Sequence, residues 1–290
     1  MEQPMYSVDP KNISTAQFHG LMLGAVAPRP IAFASTVDAA GKVNLSPYSF
    51  FNAFSANPPI LIFSPARRVR DNTTKHTLQN VMEHGEVVIN IVNYAIVEQM
   101  SLSSTEYDKG VNEFTKAGLT EAPSEKVKPP RVAEAPAAFE CKVRDIIHLG
   151  EEGGAGNLII CEVVMAHFQE GILDDNQKID PFKLDAVARM GGNWYCRANG
   201  DQLFEIAKPL STLGIGVDQL PADIRTSDIL TGNNLGQLGN VERLPSQEEI
   251  AAFAERHPEL KGLPTEEKHR KAQEHLKAGD VQSAWLTLLQ

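Results

Sequence analysis

Cysteine is scarce in this chain: Cys141, Cys161 and Cys196 are widely spaced, and no two form a CxxC pair. That excludes a disulfide framework and a cysteine-based zinc site, and it suits a reducing compartment. No run of about 18 apolar residues is present, so nothing is written to span a membrane. Positive charge is also short. A net charge of −10 argues against general binding of nucleic acid or anionic membrane, which needs a basic face, but it allows a local basic pocket. Met1 is followed by EQPMYSVDPKN, without the basic and apolar regions of a signal peptide, so a cytoplasmic location is expected. There is no HExxH, no GxSxG elbow and no paired-carboxylate signal, and His148 and His167 fall on different predicted strands. No metal is therefore expected. Without an acid–base set, the chemistry falls to a cofactor, and no side chain is assigned a catalytic role.

What is present begins with APRPIAFASTVDAAGKVNLSPYSFFN, residues 27–52. It predicts strands at 31–37 and 43–51 around a turn at Asp38–Lys42. Ser35, Thr36, Asn44, Ser46, Ser49 and Asn52 stand where a half-buried sheet is usually apolar, as one wall of a cofactor site would. Pro28, Pro30 and Pro47 fix the backbone around them and leave neighbouring amides free. An ordinary edge hairpin with polar outward positions is the alternative.

Further strands are predicted at 60–64, 86–93, 139–149 and 158–168. Leu78, Val81 and Met82 have helical spacing, with N-caps offered by Asp71–Thr74 and a stop at Gly85. Residues 95–103 read as helix and 105–136 as an outer loop. The EEGGAGN run lies between two strands with no helix after it, which makes it a hairpin turn, not a dinucleotide loop. Beyond Leu210 the composition shifts. Residues 223–240 read as loop, and helices are expected at 246–257, 265–279 and 280–289. The expected architecture is mainly β with helices: an antiparallel barrel over 1–209, then a loop and helical extension over 210–290.

Two further groups could carry binding. Arg67, Arg68, Arg70 and Lys75 crowd a predicted helix start beside Asn72, Thr73, Thr74 and Thr77. Open amides, the positive end of the helix dipole and charge-assisted donors suit a phosphate there, although a solvated loop would carry the same charges. ARMGGNWY at 188–195 combines glycines that permit close backbone approach with Trp194 and Tyr195, either of which could cover a flat ring or simply pack a turn.

Taken together, PRPIAFAST, VNLSPYSFFN, TTKHTLQN, EVVINIV, LIICEVVMAHF and RMGGNWY resemble, in order, the flavin reductase-like family of FMN-binding split-barrel proteins, over roughly residues 15–200. The resemblance implies a small antiparallel barrel, a homodimer, and FMN near the subunit interface. It implies that Ser35 and Thr36 meet the isoalloxazine edge. Asn44, Ser46, Pro47, Tyr48 and Ser49 would contact ring and ribityl chain. Lys75 and Thr77 would hold the phosphate, as in the family's Lys-Asp-Thr triplet, with Asn52, Arg67 and Tyr195 completing the site. His76 replaces the aspartate and adds a positive charge when protonated. Electrons would pass from NAD(P)H through FMN to free flavin, another small acceptor or a redox protein partner. Asn157 stands about where short flavin:NAD(P)H reductases carry a histidine. That departure motivates a second reading, a flavoredoxin-like electron carrier without efficient nicotinamide use.

Overall fold

The computed structural model describes residues 4–206 and 208–290. The chain forms two compact units, one running to Phe204 and the other from Glu205 to Gln290.

The first unit opens with helix α1 (Thr15–Ala25), which the sequence reading missed. Its signal is a capping box: Ser14 accepts from the Gln17 amide, and the Gln17 side chain reaches back to the Ser14 amide. Strands β1 (Ala32–Val37) and β2 (Val43–Tyr48) then form the expected hairpin. The predicted strand at 43–51 does not run through. It breaks after Tyr48, and β3 (Phe51–Ala56) pairs with β4 (Pro59–Phe63) instead of β1. Helix α2 (His76–His84) leads into β5 (Glu86–Ile91), and Gly85 stops the helix in the left-handed conformation at φ 65°, where a side chain would be strained.

The predicted helix at 95–103 is present as a 3-10 turn at Tyr94–Ile96 and α3 (Val97–Leu102). The predicted outer loop is partly internal. It contains α4 (Glu113–Ala117) and a small hairpin of β6 (Glu121–Ala122) and β7 (Arg131–Val132), and it buries Phe114, Leu119 and Val132. Elements this short give no readable period. The long strands β8 (Ala137–His148) and β9 (Asn157–Phe168) follow, with irregularities at Glu140/Cys141 and Val143/Asp145 that let them curve. The unit ends in α5 (Pro181–Leu184) and the hairpin of β10 (Val187–Arg189) and β11 (Tyr195–Arg197).

The main sheet has seven strands in the order β2-β1-β5-β8-β9-β4-β3, every pairing antiparallel. Its two edge strands are consecutive in sequence. The chain steps from one edge to the other through Ser49 and Phe50, and the sheet curls into a split barrel. Strand β1 is buried on both faces. One face puts Phe33 with Leu45, Met100 and Phe114. The other puts Ala32 and Ala34 with Phe63, Leu78 and Ile159, inside the barrel and beneath α2. Full burial of a residue such as Phe63 is worth about 1.5–3 kcal/mol.

The second unit is helical: α6 (Ala222–Arg225), α7 (Gly232–Gly239), α8 (Gln247–Arg256), α9 (Thr265–Lys277) and α10 (Val281–Leu288). The last three match expectation. The first two lie in the stretch read as loop, where α6 is four residues long and α7 is glycine-rich. Its core gathers Ile224, Leu238, Leu276 and Trp285, and the Trp285 indole donates to the Leu238 carbonyl at 3.1 Å. No helix among the described residues is long and apolar enough to cross a membrane.

Candidate functional site

Alternate residues of a strand share a face, so Asn44, Ser46 and Tyr48 of β2 point the same way. They line a polar crevice together with Lys75 and Thr77 at the start of α2, and with Arg68 and Glu113. Five predicted residues therefore come together, and Glu113 is one the sequence reading missed. Tyr48 donates to Thr77 Oγ1 at 2.9 Å, and Thr77 donates to Asn44 Oδ1 at 2.8 Å. Asn44 Nδ2 donates to one Glu113 oxygen at 3.0 Å, and the Leu45 amide donates to the other at 3.0 Å. Burial pushes the Glu113 carboxyl above its ordinary value despite these bonds. This chain of bonds commits the Thr77 hydroxyl proton to Asn44, so Thr77 does not offer that proton to a phosphate.

The anion-binding capacity lies at the mouth of the crevice. Lys75 is the N-cap of α2 and no side chain caps the helix; the Leu78 amide turns back onto the Lys75 carbonyl at 3.1 Å, which leaves the His76 and Thr77 amides without a cap. The expected caps at Asp71–Thr74 serve the preceding turn instead, where Asp71 accepts from the Thr73 amide and hydroxyl. Arg68 reaches in from the basic segment and also ties down the Thr74 carbonyl at 2.8 Å. Arg67 is not part of the crevice: its guanidinium donates to the Asn72 side chain at 2.6 Å and the Asn72 carbonyl at 2.7 Å. Arg68 is thus the arginine of the crevice, while Arg67 lies along the wall of the neighbouring apolar cleft. Burial, then Arg68, Lys109 and Lys75, push the His76 imidazole below its ordinary value, which disfavours its charged form.

On the other side of Arg68 and Lys75 lies a cleft of about 740 Å³, walled by Phe18, His19 and Met22 of α1 and by Val69. That is the size and character of a site for a flat organic ligand. The glycine-rich turn between β8 and β9 supports it from behind. Gly154 donates to the Arg67 carbonyl at 3.0 Å, and the Arg67 amide donates to the Ala155 carbonyl at 2.8 Å. A Cβ on Gly153 would come within 3.0 Å of the Val69 backbone, so this turn holds the basic segment and is no phosphate loop. Cations at an uncapped helix start beside an apolar-walled cleft fit a ligand with a phosphate at one end and a ring at the other, as FMN has.

The remaining predicted residues lie elsewhere. Ser35 and Thr36 are fully buried and line neither the crevice nor the cleft. Ser35 faces the core on the side of Leu45, and Thr36 Oγ1 accepts from Asn80 Nδ2 at 3.0 Å beneath α2. Pro47 is half-buried on the opposite face of β2, Ser49 accepts from Arg29 Nε at 3.4 Å, and Asn52 is exposed on β3. Tyr195 borders a separate hollow with Tyr94, Val97 and Arg197, and the Arg189 guanidinium sits 4.7 Å from its ring. The close approach that the glycines of 188–195 allow is to the chain itself: a Cβ on Gly191 would meet Gly24 Cα of α1 at 2.9 Å. Asn157 is buried, with its amide donating to Ser64 Oγ at 3.0 Å and Nδ2 to the Pro65 carbonyl at 2.8 Å, and with Oδ1 2.6 Å from His148 Nδ1.

The family model for the flavin reductase like domain matches residues 23–182. An uncharacterized protein of Aquifex aeolicus is 38% identical over 181 residues, covering 62% of this chain and 90% of its own. The uncharacterized protein YwrF of Bacillus subtilis is 31% identical over 208 residues, covering 71% of this chain and 100% of its own. Among solved structures, nitrilotriacetate monooxygenase component B from Bacillus cereus superposes with a TM-score of 0.66 at 30% identity, over 71% of this chain and all of its own. The 2-nitrobenzoate 2-nitroreductase of Pseudomonas fluorescens gives 0.63 at 27% identity, over 73% of this chain and all of its own.

Proposed function

Because the chain belongs to the flavin reductase-like family, we propose that it is an FMN-dependent oxidoreductase, drawing electrons from NAD(P)H and delivering them to free flavin or another small acceptor. The observation that carries this reading is the junction at Arg68 and Lys75, where a cationic helix start meets an apolar-walled cleft. When bound, FMN supplies the hydride and electron transfer that side chains cannot. The chain's own residues bind and orient. Arg68, Lys75 and the first amides of α2 hold the phosphate. Ser46 and the Tyr48–Thr77–Asn44–Glu113 chain form a rigid polar floor, and Phe18, Met22 and Val69 keep water from the ring. The reading includes a cytoplasmic homodimer. The likeness to a monooxygenase component supports a protein acceptor beside the small-molecule ones.

The test is an absorption spectrum of the purified protein after FMN loading, followed by anaerobic stopped-flow mixing with NADH and NADPH. Flavin bands that bleach rapidly with either nucleotide are expected. Bands that bleach with neither would remove the nicotinamide step, and a protein that takes up no FMN would remove the whole reading. One observation favours the second reading, a flavoredoxin-like carrier: Asn157 spends its side chain on Pro65 and His148 inside the fold. That reading predicts reduction by a redox protein and slow reduction by nicotinamides.

A further inference from the structure

Glu106 lies on the strap between α3 and α4, remote in sequence from the basic segment it meets. Its Oε1 accepts from Arg68 Nε at 2.9 Å and from Lys75 Nζ at 3.3 Å, and its Oε2 accepts from Arg70 Nη2 at 2.6 Å. One carboxylate therefore engages three cations, among them both side chains assigned above to the ligand's phosphate. It borders the polar crevice and the apolar cleft alike. The bonds from Arg68, then Lys75, hold its carboxyl at about 2, so it is ionised wherever the protein works. The strap has a second attachment of another kind. Gly110, at φ +86°, lies against the Lys42 side chain of the β1–β2 hairpin, a packing contact that does not depend on Glu106.

We propose that Glu106 is a resident counter-ion occupying the phosphate position, which a ligand must displace, so that the site selects phosphate monoesters over their uncharged counterparts. The inference rests on the reading of this site as one for a phosphorylated flavin. Its logic is an exchange of anions. A carboxylate offers one negative charge and two oxygens. A phosphate monoester offers about −1.5 to −2 and three acceptor oxygens, enough to satisfy the three cations that Glu106 releases. The pair with Arg70 is exposed and stabilises the fold little, while Arg68 and Lys75 are more covered, so the exchange favours an anion that satisfies those two at least as well as the carboxylate does. An uncharged ribityl end has nothing to exchange and leaves the carboxylate in place. Displacement also removes the ionic attachment of the strap, leaving it held through Gly110 and its own ends.

The experiment compares the wild type with Glu106→Gln, which keeps the shape and removes the charge. Dissociation constants for FMN and for riboflavin are measured by fluorescence, and thermal midpoints are measured with and without inorganic phosphate. Removing the competing carboxylate should tighten FMN about 5- to 20-fold, less than a whole charge-assisted contact because the glutamine carbonyl still accepts from the cations. Riboflavin should change less than about twofold, and the phosphate-dependent rise in Tm should be larger in the variant. Weaker or unchanged FMN binding in Glu106→Gln would overturn the proposal, because a carboxylate that merely positions the cations predicts that sign. Equal tightening of riboflavin would overturn it too. If the wild type binds no FMN, the flavin reading fails by itself. The phosphate arm then decides: a larger phosphate response in the variant keeps Glu106 as a counter-ion, and an equal or smaller one removes it.

Discussion

Asn80 of α2 donates its side-chain amide to Thr36 Oγ1 of β1 at 3.0 Å, with both residues fully buried. The bond ties α2 to the sheet together with the Tyr48–Thr77 bond and the packing of Leu78 and Val81. Thr36 acts on the site through the fold. Replacing Thr36 by Val keeps the shape and leaves the Asn80 donor buried without a partner. The expected cost is about 1–3 kcal/mol of stability, measured by urea unfolding, with little change in FMN affinity. A large change in flavin spectrum or affinity at unchanged stability would show that the hydroxyl meets the ligand.

Gly191 and Gly24 pack backbone to backbone, and no side chain fits between them. Gly191→Ala must displace α1, whose Phe18 and Met22 wall the cleft. A loss of about 1–3 kcal/mol in stability, together with weaker FMN binding, is expected from melts and titrations on the same variant. A variant that melts and binds like the wild type would mean that α1 is not held in place by this contact.

Lys75→Ala and Arg68→Ala should each weaken FMN by about 1.5–3 kcal/mol, roughly 10- to 150-fold, the range for hydrogen bonds to charged groups. Arg67→Ala should have a much smaller effect, because that guanidinium is committed to Asn72. Fluorescence titration separates the three variants. A loss concentrated at Arg67 would place the phosphate on the other side of its loop.

Glu140 is buried and accepts from the amides of Glu125 at 2.8 Å and Lys126 at 2.6 Å, with His167 Nε2 2.7 Å away. Burial pushes its carboxyl up, but these bonds outweigh burial and hold it below the ordinary 4.5. A carboxyl with a lowered native value contributes stability that is fully present above the unfolded value and is lost as pH falls through the native one. Glu140→Gln should therefore be less stable than the wild type at neutral pH, and the gap should narrow as pH drops below about 4.5. Urea midpoints from pH 7 to 3 check this, and a constant gap would contradict it.

Much of the frame was readable without coordinates. Alternation exposed the strand that became β8, a β-branched run exposed β5, turns flanked β1 and β9, and Gly85 marked the stop of α2. The crowding of Arg68 and Lys75 at a helix start also stood in the sequence. What escaped was short or dependent on distant partners. Helix α4 is five residues long, too short to show a period, yet it brings Glu113 beneath Asn44. Glu106 looked like one acid in a polar stretch, and its three cations lie more than thirty positions away.

Residue order alone sets which side chains of β2 share a face, because a strand alternates whatever surrounds it, and it puts cations where a helix begins. Which polar groups remain available to a ligand depends instead on long-range packing. Packing α2 over β1 enclosed Thr36, packing α4 against β2 committed Thr77 through Asn44, and the fold of the basic segment turned Arg67 toward Asn72. Hydrogen-bonding capacity is set by residue type, but it is spent on whichever neighbour the fold brings within reach.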